Sequence, residues 1–420
     1  MNNQFALAII GGGPAGIMAA LAAIKSPIVL IEKNEAVGRK ILATGNGRCN
    51  LTNRFAEVSR YHGGDPKFIE GVLKKFNQFA VMKYFENLGV VLKEEDYGRI
   101  FPRTNQAQTI VDALTHKLTE KKILVKTNCD VKKINKTKNG FEIVTRPSTS
   151  LDNARDKSLG TSTILARKIV LATGGKAAAH LGTTGDGYYW AELLGHKITP
   201  IFPALVPLET VEAWPKEISG LRVEGKSTVT IDGKIISEKS GDILFTHFGL
   251  SAPAVMAHAG TIAPHLGKNV QIHLDLFPET SEKELDNLLA KIFASTGKKS
   301  LKNSLSGLIA NNLSPMILKL LELSETKKTA EVSKIDRIKI ARRLKDLTLQ
   351  IKGLRPFKEA QVTSGGMDLS DIDINTLESK KTPGLYFAGE ILDVNGDSGG
   401  FNLQWAWASG HLAGQMSTSS

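Results

Sequence analysis

Gly11-Gly12-Gly13-Pro14-Ala15-Gly16 constrains this chain more than any other segment, because it follows the apolar run Phe5 to Ile10 and opens the alanine-rich stretch Ala15 to Ile24. Gly11, Gly13 and Gly16 fit GxGxxG between a strand and a helix. In that arrangement the first glycine permits the tight turn and the second lets a backbone approach a pyrophosphate. The third allows close helix-to-strand packing, while the helix N-terminus offers N–H groups to the anion. A second apolar run, Ile28 to Ile31, ends in Glu32. Strand, helix and strand thus fill the ~30 residues of a βαβ crossover with buried parallel strands. An acid at that place accepts hydrogen bonds from ribose hydroxyls and disfavours a 2′-phosphate. The expected class is α/β, with a Rossmann-type dinucleotide-binding domain.

The chain has 420 residues, more than one typical core, so two or three domains are expected. Turns at Asn139-Gly140 and Asp232-Gly233 predict hairpins, the first joining Ile123 to Ile134 with Phe141 to Thr145, the second within Val229 to Ile236. Residues 147–163 read as a polar loop, and Lys168 to Ala172 as a buried strand ending in Thr173-Gly174-Gly175. From about residue 195 the texture turns β-branched and Pro-rich, and from Ser281 to about Leu349 it becomes helical and lysine-rich. Strand character returns at Leu385 to Ala388, followed by a Gly-rich loop and the apolar segment Leu403 to Leu412. The expected organisation is one nucleotide-binding domain, 1–194 with 353–420, carrying two inserts. These are an antiparallel β-barrel-like domain, 195–280 with 345–360, and a helical subdomain, 281–344.

Composition narrows the class further. The N-terminus MNNQFALAII lacks the pattern of a signal peptide, and no apolar run approaches the ~20 residues of a membrane span, so a soluble cytoplasmic protein is expected. Cys49 and Cys129 form no CxxC, which indicates neither a zinc site nor an adjacent dithiol; no metal is expected. The formal charge is +12, and residues 281–350 hold 14 Lys or Arg against 8 Asp or Glu, half of it. A solvated helical surface explains this, and an RNA-binding face is the alternative.

Three segments favour FAD over NAD as the dinucleotide. Ala172-Thr173-Gly174-Gly175 ends a strand with residues small enough for a backbone to pass close to a ligand. Gly38-Arg39-Lys40 supplies cations near the phosphates, and Gly389-Glu390 ends a late strand where an acid can bond to the ribityl chain. A single GxGxxG, with no second one in the inserts, gives no sign of a separate NAD(P)H domain; NADH or NADPH would bind transiently in the substrate cleft.

The chain resembles the YhiN/BaiN-like family of NAD(P)/FAD-dependent, aminoacetone-oxidase-like flavoproteins. The resemblance rests on GGGPAG at 11–16, GRKILATGNGRCNLTN at 38–53, GRIFP at 98–102, ATGG at 172–175, TGDGY at 184–188, LFTHFGLSAP at 244–253 and GLYFAGEILDVNGDSGGFNLQWAWASG at 384–410. It implies an FAD domain interrupted by a barrel-like and a helical insert. It also implies Ala15, Glu32, Lys33, Arg39 and Lys40 around the adenosine and pyrophosphate, and Val131 against the adenine. Thr173 and Gly174 would line the dinucleotide, and Gly389, Glu390, Asp393, Gly400, Phe401 and Asn402 would surround the ribityl chain and flavin ring.

For catalysis the candidates are Arg48 to orient an anionic substrate, Cys49 as a redox thiol set against a packed one, and His247 as a proton donor. Arg99 stands between substrate contact and a structural ion pair. Three functions compete: an NAD(P)H-linked reductase of a small organic compound, an oxidase of a small amine or keto compound releasing peroxide, and an RNA-associated flavoprotein.

Overall fold

Leu7, Ala8 and Ile9 are wholly buried because their strand, Gln4–Ile10, runs through a seven-stranded sheet with neighbours on both edges. On one side it pairs in parallel with Ile28–Ile31, which pairs in parallel with Leu124–Lys126. On the other it pairs in parallel with Ser162–Leu171. That long strand forks. Its first half, to Ala166, pairs with the antiparallel strand Gly140–Pro147, and its last three residues pair with Leu385–Phe387 from the C-terminal part of the chain. In this computed structural model residues 4–147 and 161–418 are described, and they form two compact units, Met1–Phe202 with Val362–Ser420, and Pro203–Gln361. Most of the polar stretch 147–163 falls on residues 148–160, outside the described ones.

The hairpin expected at Asn139-Gly140 is shifted by one residue. Thr137 pairs with Gly140, so Lys138 and Asn139 make the turn and Gly140 opens the next strand. Gly140 is required by its neighbour: with φ +140°, a Cβ there would lie 2.2 Å from the Ala166 carbonyl oxygen. The other hairpin holds as read, with Asp232 at φ +50° and Gly233 at φ +78° between paired Ile231 and Lys234.

The last helix, Phe401–Ser417, is buried on nearly every side, which is why the segment shows no amphipathic period. It packs on the first helix, Pro14–Ala22, through Gly410 and Gly414: a Cβ at either would stand 2.3 Å from the Ala15 carbonyl oxygen or 2.1 Å from that of Ala19. Small residues four apart let the two backbones approach.

The second unit holds a closed antiparallel barrel of six strands, in the order Leu208–Thr210, Gly249–Ser251, Lys234–Thr246, Arg222–Ile231, Val270–Asp275 and Leu347–Leu354. Alternate residues fill it, among them Val229, Ile231, Ile243, Phe245, Ile272 and Leu274. Four helices, Glu282–Ser295, Leu301–Leu305, Leu313–Leu320 and Lys334–Lys345, come between its last two strands. The first starts at a capping box of Ser281 and Glu284 and buries Leu285, Leu289 and Phe293 on one face. Helix ends at Lys345, short of Leu349, because Leu347 and Leu349 alternate into the barrel.

Candidate functional site

The glycine-rich turn separates two demands. Gly11, at φ +108°, and Gly16 are needed by the protein itself: a Cβ would meet the Ala172 carbonyl oxygen at 2.4 Å and the Gly11 carbonyl oxygen at 1.8 Å respectively. Gly13, at the N-cap of the first helix, faces nothing within 4 Å. Open space therefore lies beside a helix N-terminus whose first N–H groups have no intrahelical partner.

Glu32 is buried at 8% exposure. Its Oε1 accepts from the Asn34 backbone N–H at 2.8 Å and the Asn34 amide at 2.6 Å, and its Oε2 from the Gly12 N–H at 2.7 Å. One acceptor position on Oε2 remains for a ligand hydroxyl. The Glu32 carbonyl accepts from the Cys129 N–H at 3.0 Å, which brings the strand bearing buried Val131 alongside. Lys33 turns to Thr184 at 2.7 Å and Asp186 at 3.1 Å, in the TGDGY segment. Arg39 follows Gly38, at φ +79°, whose N–H bonds to the Gly12 carbonyl at 2.8 Å.

Lys40 and Glu390, 350 residues apart, form one mostly buried ion pair, and the other Glu390 oxygen accepts from the Thr363 N–H at 2.8 Å. Gly389, at φ +80°, has its Cβ position 2.8 Å from the Ala15 Cβ, so the late strand ends against the glycine turn. Its N–H donates to Ser409 at 2.9 Å and its carbonyl accepts from the Trp405 indole at 3.1 Å. After Ala172, Gly174 lies at φ +74°, and the Thr173 hydroxyl is buried without a partner among the described residues. Asp393 accepts from Thr199 at 3.0 Å; burial, then the nearby Asp368 carboxylate, raises its pKa against the lowering effect of that bond.

Gly400, at φ +100°, caps the last helix, and its Cβ position is 2.5 Å from the Thr52 carbonyl oxygen and 2.8 Å from Asn50 Oδ1. Asn50 Oδ1 and Asn395 Oδ1 are also buried without partners among the described residues. Phe401 packs edge-on to Tyr61, and the Asn402 amide holds the Gly396 N–H and carbonyl, both at 2.8 Å. Sequence reasoning placed Asn50 in a loop near the flavin but missed Thr363 and Asn395; the motif string containing Asn395 was the available signal, and none marked Thr363.

Among the catalytic candidates, Arg48 is paired with Glu95 at 3.0 Å and stacked 4.2 Å over the Phe101 ring. Cys49 sits at φ +60° and 0% exposure, where burial pushes its thiol up to about 12. At pH 8 such a thiol is ionised in about one molecule in ten thousand. A disulfide reagent at pH 8 is expected to spare Cys49 in the native protein and label it after denaturation; two fast-reacting thiols per native chain would contradict this. His247 is in the second unit, exposed after the strand Lys234–Thr246, its ring edge-on to Phe248.

FAD fits the residues of the first unit. The space beside Gly13 suits a pyrophosphate, Glu32 retains a ribose acceptor position, and the unsatisfied oxygens of Thr173, Asn50 and Asn395 are what a polar ligand would complete. The arrangement is that of a Rossmann-type, FAD-dependent oxidoreductase. Residues 5–416 match the family described as HI0933-like protein Rossmann domain, and the chain belongs to that family.

Two relatives match almost end to end. A 3-dehydro-bile acid Δ4,6-reductase of Clostridium scindens is 34% identical over 97% of this chain and 98% of its own. A ribosomal RNA dihydrouridine synthase of Escherichia coli is 30% identical over 98% of each. Among solved structures, the 3-ketosteroid Δ1-dehydrogenase of Sterolibacterium denitrificans shares the fold, with a TM-score of 0.53 at 13% identity over 100% of both chains. No helix among the described residues is long and apolar enough to cross a membrane.

Proposed function

We propose that this protein is an FAD-dependent reductase that saturates a carbon–carbon double bond conjugated to a carbonyl, with NADH or NADPH as electron donor. One convergence carries the reading. The two relatives named above act on unlike molecules, yet both names describe the same kind of bond change: double bonds of a Δ4,6 system are reduced in one, and the ring carbon–carbon double bond of uridine is saturated to give dihydrouridine in the other. The balance is one hydride to the carbon β to the carbonyl and one proton to the α carbon, while NAD(P)H becomes NAD(P)⁺.

FAD, when bound, supplies hydride transfer through N5, which no side chain can perform. The chain's own residues bind and orient it. Glu32 takes a ribose hydroxyl, Gly13 and the N–H groups at Ala15 and Gly16 receive the pyrophosphate, and Val131 borders the adenine. Arg39 adds positive charge around the phosphates, while Lys33 and Lys40, paired with Asp186 and Glu390, offer ammonium hydrogens there. Thr173 and Gly174 line the dinucleotide, with Gly389, Glu390 and Asp393 along the ribityl chain. Gly400, Phe401 and Asn402 direct the N-terminus of a 17-residue helix at the flavin pyrimidine, where its positive end favours negative charge. Arg48, in the first unit, is the proposed contact for an anionic group of the substrate, and His247 is proposed separately as a proton donor of the second unit.

A second reading takes RNA as the substrate. Lys298, Lys299 and Lys328 are exposed, and backbone bonds between Thr329 and Lys299 (3.1 Å) and between Leu301 and Lys327 (2.8 Å) hold their two segments side by side in the second unit. Clustered cations of this kind suit a phosphate backbone.

The visible spectrum of the purified protein, followed by anaerobic NADH and then NADPH, tests the reading. A yellow protein that bleaches with either donor is the expected result. A yellow protein that stays oxidised with both, but reduces oxygen to peroxide when given an amine or keto compound, is an oxidase. A colourless protein that FAD cannot reconstitute overturns the cofactor assignment.

A further inference from the structure

We propose that Tyr97 and Phe55 form a stacking platform for a nucleobase in single-stranded RNA, beside the helix N-terminus at Gly400. This rests on the preceding reading of that terminus as the flavin-ring end of the site.

The two rings are exposed, 81% for Tyr97 and 50% for Phe55, and flank a small sheet of Thr52–Asn53, Leu92–Glu95 and Arg99–Pro102, Tyr97 in the turn Asp96–Gly98 and Phe55 two residues past Asn53. The Phe55 ring lies against Gly98, the residue after Tyr97: a Cβ at Gly98 would come within 2.7 Å of it. Tyr97 holds φ +62° and ψ 25°, a left-handed conformation that a bulky aromatic residue adopts only under constraint. Asn53 supplies the constraint. Its amide donates to the Tyr97 carbonyl at 3.1 Å and to the Gly399 carbonyl at 2.8 Å, so the strained turn is tied directly to the loop that caps the last helix.

Glycine would relieve the strain, and the fold makes little use of the ring. Its one aromatic or cationic neighbour among the described residues is Arg99, whose guanidinium carbon lies 5.9 Å from the Tyr97 centroid and 6.0 Å from that of Phe101. Arg99 donates to the Asp96 backbone carbonyl at 3.0 Å, and among the described residues it has no carboxylate within ion-pair distance. Of its neighbours, Arg54 pairs with Glu94, while Arg48 and Lys93 share the single carboxylate of Glu95. The patch thus presents two aromatic faces and an unspent guanidinium.

That chemistry suits a base with its phosphate. A base needs only one π-face and a nearby cation, and stacking tolerates a ring open to solvent. A steroid skeleton needs an enclosed apolar slot covering most of its surface, which a ring at 81% exposure does not provide. The net charge of +12 favours the polyanion.

The test uses flavin-loaded protein, a labelled short oligouridylate read by fluorescence anisotropy at about 50 mM salt, and inorganic polyphosphate as a control polyanion. Tyr97→Gly is expected to weaken oligouridylate binding roughly tenfold or more, while thermal stability holds or rises and polyphosphate binding is unchanged. Tyr97→Phe is expected to bind within about twofold of the parent, and Phe55→Ala to weaken binding in the same sense as Tyr97→Gly. Oligouridylate binding unaffected by Tyr97→Gly and Phe55→Ala, an equal loss for polyphosphate, or no binding by the parent protein would each overturn the proposal. Flavin absorbance and bleaching by NAD(P)H, recorded on the same samples, separate failure of the platform from failure of the reductase reading.

Discussion

Gly414→Val leaves this protein unable to assemble its first unit, and Gly414→Ala lowers its melting temperature by roughly 2–8 °C. The sign is decided by two opposed effects. Within a helix, alanine is favoured over glycine by about 1 kcal/mol. Against that, a Cβ at Gly414 would stand 2.1 Å from the Ala19 carbonyl oxygen, and the nearest atoms are all backbone, which cannot rotate away. The helices Pro14–Ala22 and Phe401–Ser417 must separate, and overpacking of this kind costs about 1–3 kcal/mol even where side chains can adjust. Because backbone atoms cannot give way, the cost lies in the upper part of that range, and the net loss of about 1–2 kcal/mol corresponds to roughly 2–8 °C in a unit of this size. Separation also moves Ala15, which lies against both Gly389 and Gly410, so FAD affinity falls with stability. Calorimetry of Gly414→Ala beside Gly307→Ala gives the comparison, because a Cβ at Gly307 meets nothing within 4 Å. Equal melting temperatures for the two variants would remove the close-packing account.

Glu32→Gln has the second large effect. All three hydrogen bonds to this carboxylate come from donors, two on Oε1 and one on Oε2. A glutamine must place its amide nitrogen at one of those positions, setting donor against donor in a buried place. Either the Gly12 or the Asn34 N–H then loses its acceptor, and the turn that presents Gly13 loses its anchor. The dissociation constant for FAD is expected to rise roughly 10- to 100-fold, and the apoprotein to lose about 1–3 kcal/mol. Fluorescence titration of apoprotein with FAD measures the first and denaturant unfolding the second. Unchanged affinity with reduced stability would leave Glu32 as a brace for the turn and withdraw its ribose role.

Much of the α/β class was legible because its signals are local. The crossover from Phe5 to Glu32 closes within thirty residues, and Gly11, Gly13 and Gly16 in its turn answer a neighbouring strand, open space and the turn's own backbone in that order. The Asp232-Gly233 hairpin was readable for the same reason, since two residues at positive φ define it. At Asn139-Gly140 the same rule slipped by one residue, because Gly140 is required by a neighbouring strand and not by the turn. Local turn chemistry could not carry that information.

By itself the sequence determined the dinucleotide turn, the acid ending its second strand, the barrel hairpin and the helical character of 282–345. Each follows from hydrophobic period, glycine placement or capping within a few residues. Tertiary structure alone decided that Lys40 pairs with Glu390 across 350 residues, that Arg48 pairs with Glu95 over the Phe101 ring, and that Cys49 is buried where its thiol is pushed up to about 12. It alone decided, too, that Asn53 ties a strained, exposed Tyr97 to the cap of the last helix. Partnership and burial depend on which distant backbones meet, and a motif records which residue is present without recording what folds against it.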